Sequence, residues 1–242
     1  MVSTGSLKKI SAASGLYFGV FLIMHLISHY SLFFGMERAM KNMVLFRKVY
    51  QNPVFELGLI VALISHYVSN TMIYLHRKKI EEKSAKLKKN DGAAAPTAII
   101  KGDLELKAHR YTGYFLSLAV IGHVSATRVA PFFVLSDPSQ FDYSFATYAQ
   151  KKIFGPIFGV YLILLGMAGG WHLLYGTRSA IVTLFYGSSV VGKAFPIYLK
   201  PLAGINHLLI INAAITLGGV YFMIDIETKK ELYDIVYSYV PI

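Results

Sequence analysis

Residues 10–34 read ISAASGLYFGVFLIMHLISHYSLFF. The stretch holds no Asp, Glu, Lys or Arg. As an α-helix it would rise about 37 Å, more than the roughly 30 Å of a bilayer's hydrocarbon core. It lacks the short apolar core and small-residue cleavage site of a secretory signal, so it reads as a retained membrane helix. Its only basic side chains are His25 and His29.

The rest of the chain repeats this pattern. Of its 242 residues, 55% are hydrophobic and only 15% charged, where a soluble domain carries about a quarter charged. The mean hydropathy is +0.49. Four further apolar stretches of membrane-crossing length follow, at 53–75, 111–134, 153–176 and 205–224. The fourth of these five spans has room to run on, because residues 179–186 are also largely apolar. The expectation is an all-α, polytopic membrane protein, one membrane domain over 1–242 with five transmembrane helices. A disordered chain and a disulfide scaffold are excluded. With no cysteine, so are an iron–sulfur cluster and a thiolate-held haem on this chain. The net charge is +11, but the basic residues flank the apolar spans, which points to membrane lipid and not to nucleic acid.

Those basic residues also give a direction. With the N-terminus inside, the inner segments 1–9, 76–110 and 177–204 hold 15 Lys and Arg, and the outer segments 35–52, 128–152 and 225–242 hold 9. Most of the bias lies in the loop 76–110, with Arg77, Lys78, Lys79, Lys86, Lys88 and Lys89. Its middle, NDGAAAP at 90–96, reads as a flexible linker. A cytoplasmic N-terminus and an outer C-terminus follow.

Eight histidines are the informative side chains. His76, His109 and His207 fall near span ends and read as interfacial. His25, His29, His66, His123 and His172 fall inside spans, where an ionisable group is a functional-site hypothesis by default. Taken singly, each reads equally well as a neutral imidazole bonded to a neighbouring helix. Helical rise then sorts four of them by depth. From the inner edge, His25 lies about 22 Å up, His123 about 18 Å, His66 about 14 Å, and His172 about 6 Å or deeper if its helix runs on. His25 with His123 make an outer level, and His66 with His172 an inner one.

Two imidazoles facing each other from two helices are what a six-coordinate haem iron takes from a protein, and helix bundles build such sites in their cores. Two levels would hold two haems b. Small residues line the same helices: Gly15 and Gly19, then Gly113, then Gly166, Gly169, Gly170 and Gly176. Each of these also reads as plain helix–helix packing. A zinc site would gather its ligands at one level with cysteine or carboxylate help, which the split histidines do not offer.

In span III, Arg110-Tyr111-Thr112-Gly113 is followed by His123 and then Thr127-Arg128. This segment resembles the R-x-T-G…H…T-R run of the single-chain dihaem cytochrome b anchors of succinate:quinone oxidoreductases and quinol:fumarate reductases. Phe21-Leu22-Ile23-Met24-His25-Leu26 is similar to that family's F-L-x-x-H-L ligand segment. The surroundings of His66 and of His172 resemble its second and fourth ligand segments. The likeness covers spans I to IV, about two thirds of the chain, and its specificity comes from four weak motifs in order.

The resemblance implies helices I–IV forming a dihaem bundle, with His25 and His123 on the distal iron and His66 and His172 on the proximal iron. It implies a flavoprotein and an iron–sulfur subunit docked on the cytoplasmic face, where the flavoprotein carries out the dicarboxylate chemistry. Quinone, ubiquinone or menaquinone, reacts within this subunit. The setting implied is a bacterial cytoplasmic membrane ahead of a mitochondrial inner membrane, with a higher oligomer of the complex left open. The basic loop serves either as a docking surface or as an orientation signal beside anionic lipid.

Two positions depart from the family pattern. Gly170 stands where some members carry a glutamate two residues before the ligand, so a proton path there is not supported. His29 stands where a neutral polar residue is common, one turn beyond His25. It is a candidate quinone or propionate partner, and an alternative ligand to His25.

Quinone reduction needs protons near a haem edge. Glu56, about 15 Å above His66, and His29 are the candidates at the distal level; Glu56 reads equally as a surface carboxylate. Arg128 on the outer side, and Arg110 and Arg178 on the inner side, are candidates for haem propionates or for interfacial snorkelling. Trp171 reads as packing and interface anchoring. Two other classes compete: a haem b subunit of a formate dehydrogenase or hydrogenase, and a haem-free transport or structural subunit. The first would not be expected to show the Arg110-to-His123 segment, and the second predicts charges or broken helices at the midplane.

Overall fold

The first apolar stretch forms α1, Thr4–Tyr30, and tightens into a 3-10 turn over Ser31–Phe34. Gly35 ends the run with φ 109°, a left-handed backbone that favours glycine, and its N–H bonds back to the Leu32 carbonyl at 3.1 Å. The computed structural model describes residues 3–90, 104–135, 137 and 141–187. Among these, every regular element is helical. Span V at 205–224, residues 91–103 of the basic loop and the tail 225–242 lie outside the described residues.

After Gly35 comes α2, Met36–Tyr50, which the apolar-span reading left as an outer segment. It is too polar to register as a span, yet it buries Ala39 and Met43, one turn apart on one face. The next helix, α3, runs over Pro53–Asn90. Its start is well specified: Asn52 accepts the Val54 N–H on its side-chain oxygen at 3.0 Å, and Pro53 takes the first helical position, where no amide is needed. Glu56 lies in the first turn, where the helix dipole favours a carboxylate.

Two further long helices follow. α4 covers Leu104–Val124 and continues through a wider π-type turn, Ser125–Val129, into the short α5, Ala130–Val134. A short α6, Tyr143–Tyr148, and a second π-type stretch, Ala149–Phe154, lead to Gly155 at φ 60°. Pro156 then opens α7, Pro156–Phe185. Among the described residues, four helical stretches are long and apolar enough to cross a bilayer: Thr4–Phe34, Pro53–Lys86, Leu106–Phe133 and Pro156–Phe185. They coincide with spans I to IV. Span II runs on, because its helix continues 15 residues past residue 75, through Arg77, Lys78 and Lys79. Span IV runs on too, to Phe185.

The buried serine and threonine hydroxyls of these helices bond to carbonyls of their own preceding turn, which meets their polar demand. Ser14 donates to the Ile10 carbonyl at 2.7 Å, Ser69 to Ser65 at 2.7 Å, and Thr183 to Ser179 at 2.8 Å.

The described residues fall into two compact units. One takes in 3–22, 50–90, 104–110 and 173–187; the other takes in 23–49, 111–135, 137 and 141–172. In the first, the early part of α1 packs on α3, where Tyr17 stacks on Phe55 with ring centroids 5.3 Å apart. Gly19 of α1 lies against Leu173 of α7, the close approach expected of small residues between membrane helices. In the second, Leu32, Ala39, Met43 and Tyr143 form an apolar core joining the 3-10 turn after α1 with α2 and α6. Arg47 of α2 donates to the Phe141 carbonyl, and Asn42 donates to Ser31 at 2.6 Å.

Candidate functional site

Within the second unit, α1 and α4 bring His25 and His123 together. Their ring centroids are 5.7 Å apart, with ring planes at 78°. Two imidazoles that share one metal each put a ring centroid about 3 Å from it, given metal–nitrogen bonds of about 2 Å. A separation near 6 Å is therefore what a shared axial pair asks for. His29, one turn along α1, has its ring 4.5 Å from His25 on one side and 5.4 Å from Tyr143 on the other. The π-type turn begins two residues after His123, and Thr127 donates into the His123 carbonyl at 2.7 Å. Such widened turns are frequent at functional sites. Arg128, within that turn, is half-buried and lies over the Phe132 ring at 4.7 Å.

The other two span histidines are divided between the units, and each has its own supports. In the first unit, His66 of α3 stands with Nδ1 3.0 Å from the Ser11 carbonyl of α1. A carbonyl only accepts, so Nδ1 carries the hydrogen and Nε2 keeps its lone pair. That is the tautomer a metal-ligating histidine adopts when a second partner fixes its ring. Gly15 makes room for it, since a Cβ there would lie 3.2 Å from His66 Cε1. In the second unit, His172 of α7 has Thr112 Oγ1 3.5 Å from its Nδ1, the long limit of a hydrogen bond. Gly113 of α4 gives it space in the same way, since a Cβ there would lie 3.0 Å from His172 Cε1.

The remaining candidates fall as follows. Glu56 is half-buried at the start of α3. Arg110 is exposed on α4, and Arg178 is buried on α7 at 7% exposure. His109 differs from its interfacial reading. Because α4 begins at Leu104, His109 lies inside a helix, half-buried, with its ring 4.7 Å from Tyr175 and against Gly176. The signal that could have found it is the helical run through residues 104–110, which the charged residues hide from a hydropathy reading.

Among the described residues, no group of three or more His, Asp or Glu forms a metal site made by protein alone. A macrocycle-bound iron asks for only two axial donors, and His25 with His123 fit that demand. Two further observations bear on the fit. Gly169 is buried, yet a Cβ added there would meet no atom within 4 Å; it precedes His172 by three residues, on the same side of α7. Trp171 is 6% exposed, and its Nε1 finds no hydrogen-bond partner among the described residues. The open space lies on the side of α7 that carries His172 and suits a bound group there, and the unbonded donor at the next residue suits a group that carries acceptor oxygens.

Comparisons with family models, with curated proteins and with solved structures find no match to this chain.

Proposed function

We propose that this chain is the membrane-anchoring cytochrome b subunit of a succinate:quinone oxidoreductase or quinol:fumarate reductase, passing electrons between an iron–sulfur subunit and membrane quinone. The observation that carries the reading is the approach of His25 and His123, from two membrane-length helices, to 5.7 Å within one unit. The order of the four ligand segments along the sequence supports it. So does the His66 tautomer set by Ser11.

In this reading His25 and His123 hold the distal haem b, and His66 and His172 the proximal haem b. A haem when bound supplies a one-electron Fe(III)/Fe(II) couple. The protein residues do the rest. Ser11 and Thr112 orient the ligand imidazoles, and Gly15 and Gly113 give those rings room. Arg110, Arg128 and Arg178 are the cations proposed for the propionates, Arg178 from a buried position. Glu56 and His29 are the groups proposed to exchange protons with quinone. The chain lies in a bacterial cytoplasmic membrane with its N-terminus inside. The flavoprotein and iron–sulfur subunits dock on the cytoplasmic side, and the dicarboxylate chemistry takes place on the flavoprotein.

Purification of the chain from its native membrane tests this. Recovery with a flavoprotein and an iron–sulfur protein, and haem b reduced by succinate or oxidised by fumarate, is expected. A haem b reduced by formate or hydrogen and indifferent to dicarboxylates would overturn it.

A further inference from the structure

Trp171 is the only tryptophan in the chain, and the indole is buried at 6% exposure. Its Nε1–H can only donate, and among the described residues no acceptor reaches it. Buried indole N–H groups normally hold a partner, since a desolvated donor with nothing to bond is costly and phenylalanine would fill similar space without that cost. Among the described residues no carbonyl, of α7 or of another helix, accepts this N–H. The acceptor therefore lies outside the described residues, and a molecule that joins the protein is one source of it.

The chemistry around Trp171 narrows that molecule. The next residue is His172, held against Gly113 and Thr112 of α4; the open space at buried Gly169 lies on the side of α7 that carries His172. We infer that the Trp171 Nε1–H donates to a carboxylate oxygen of the haem held through His172. This inference rests on the haem reading given above. A haem b carries two carboxylates, its strongest acceptors, and a carboxylate drawn into an apolar bundle needs donors around it. A hydrogen bond to such an anion is stronger than one between neutral groups, and stronger again at low dielectric. A quinone carbonyl is the other acceptor such a subunit meets, and the experiment separates the two.

The test uses the intact complex, wild type and Trp171→Phe, with potentiometric titration of both haems b and ultraviolet resonance Raman of the indole. Removing the donor leaves more uncompensated negative charge near one iron, which favours the ferric form. The midpoint of the haem that is lost in His172→Ala is expected to fall, by up to about tenfold in the reduced-to-oxidised ratio, or 59 mV for a one-electron couple. The other haem should not move. In wild type minus Trp171→Phe difference spectra, the indole hydrogen-bond marker should be in its bonded position when haem is present and in its free position in chain made without haem. That second measurement decides the matter even if Trp171→Phe fails to assemble, because haem-loaded and haem-free wild type can be compared directly in the isolated full chain.

Several results would overturn the inference alone: both midpoints unmoved, a shift confined to the haem lost in His25→Ala, or an indole marker that responds to added quinone and not to haem. Absence of any haem from the wild-type complex would overturn the haem reading and this inference together.

Discussion

Replacing Gly113 by alanine puts one methyl group where the structure leaves no room. The added Cβ would lie 3.0 Å from His172 Cε1 and 3.5 Å from Nδ1, so the imidazole must shift by a few tenths of an ångström. The ring is rigid, and it cannot yield at a flexible tip. Alanine in a helix gains about 0.8–1.0 kcal/mol over glycine, whereas overpacking of this kind costs about 1–3 kcal/mol. The same helix supplies its own control. Gly122 has nothing within 4 Å of a built Cβ, so Gly122→Ala keeps the helical gain without the clash. The two variants should differ by about 1–3 kcal/mol, roughly 5- to 150-fold in an equilibrium constant. The assay is haem b content and thermal stability of each purified variant. Gly122→Ala should match or exceed wild type, and Gly113→Ala should weaken one haem and leave the other. Identical behaviour of the two would refute the claim that Gly113 exists to seat His172.

Other substitutions separate the roles of the histidines and the acid. His25→Ala and His123→Ala should remove the same haem b, and His29→Ala should retain both; loss of a haem in His29→Ala, with retention in His25→Ala, would reassign the axial ligand within α1. Glu56→Gln should leave both haems in place by optical spectrum while lowering quinone turnover at least tenfold; an unchanged turnover would return Glu56 to a helix-start carboxylate. Asn52→Ala removes the cap seen at Val54 and should cost about 1 kcal/mol of stability, read as a lower melting temperature with unchanged spectra.

Much of this molecule is legible in its sequence because a bilayer imposes a simple rule. Spans I to IV stand out since about 20 apolar residues are needed to cross, and all four appear as long helices. Their ends are less legible. Hydropathy sees the edge of the membrane and not the edge of the helix, so α3 continues through Arg77, Lys78 and Lys79 to Asn90 unannounced. The same blindness hides the first turns of α4 and misplaces His109. α2 escapes because its buried stripe is short, chiefly Ala39 and Met43, on a helix that is polar elsewhere. With both helices read as starting on the same side, helical rise puts His25 and His123 about 4 Å apart in depth, but the same arithmetic puts His66 as near to His123, so the meeting of α1 and α4 at His25 and His123 comes from packing. No such arithmetic reveals the supports. That Ser11 offers a backbone carbonyl to His66, or that the Trp171 Nε1 has no acceptor among the described residues, depends on which faces meet.

The central claim is tested most directly by a reduced-minus-oxidised spectrum of the purified complex, with a pyridine haemochrome to count haem b per chain. Two haems b per chain is the result the four span histidines call for. No haem would contradict the account and leave His25, His66, His123 and His172 as packing residues of a membrane bundle.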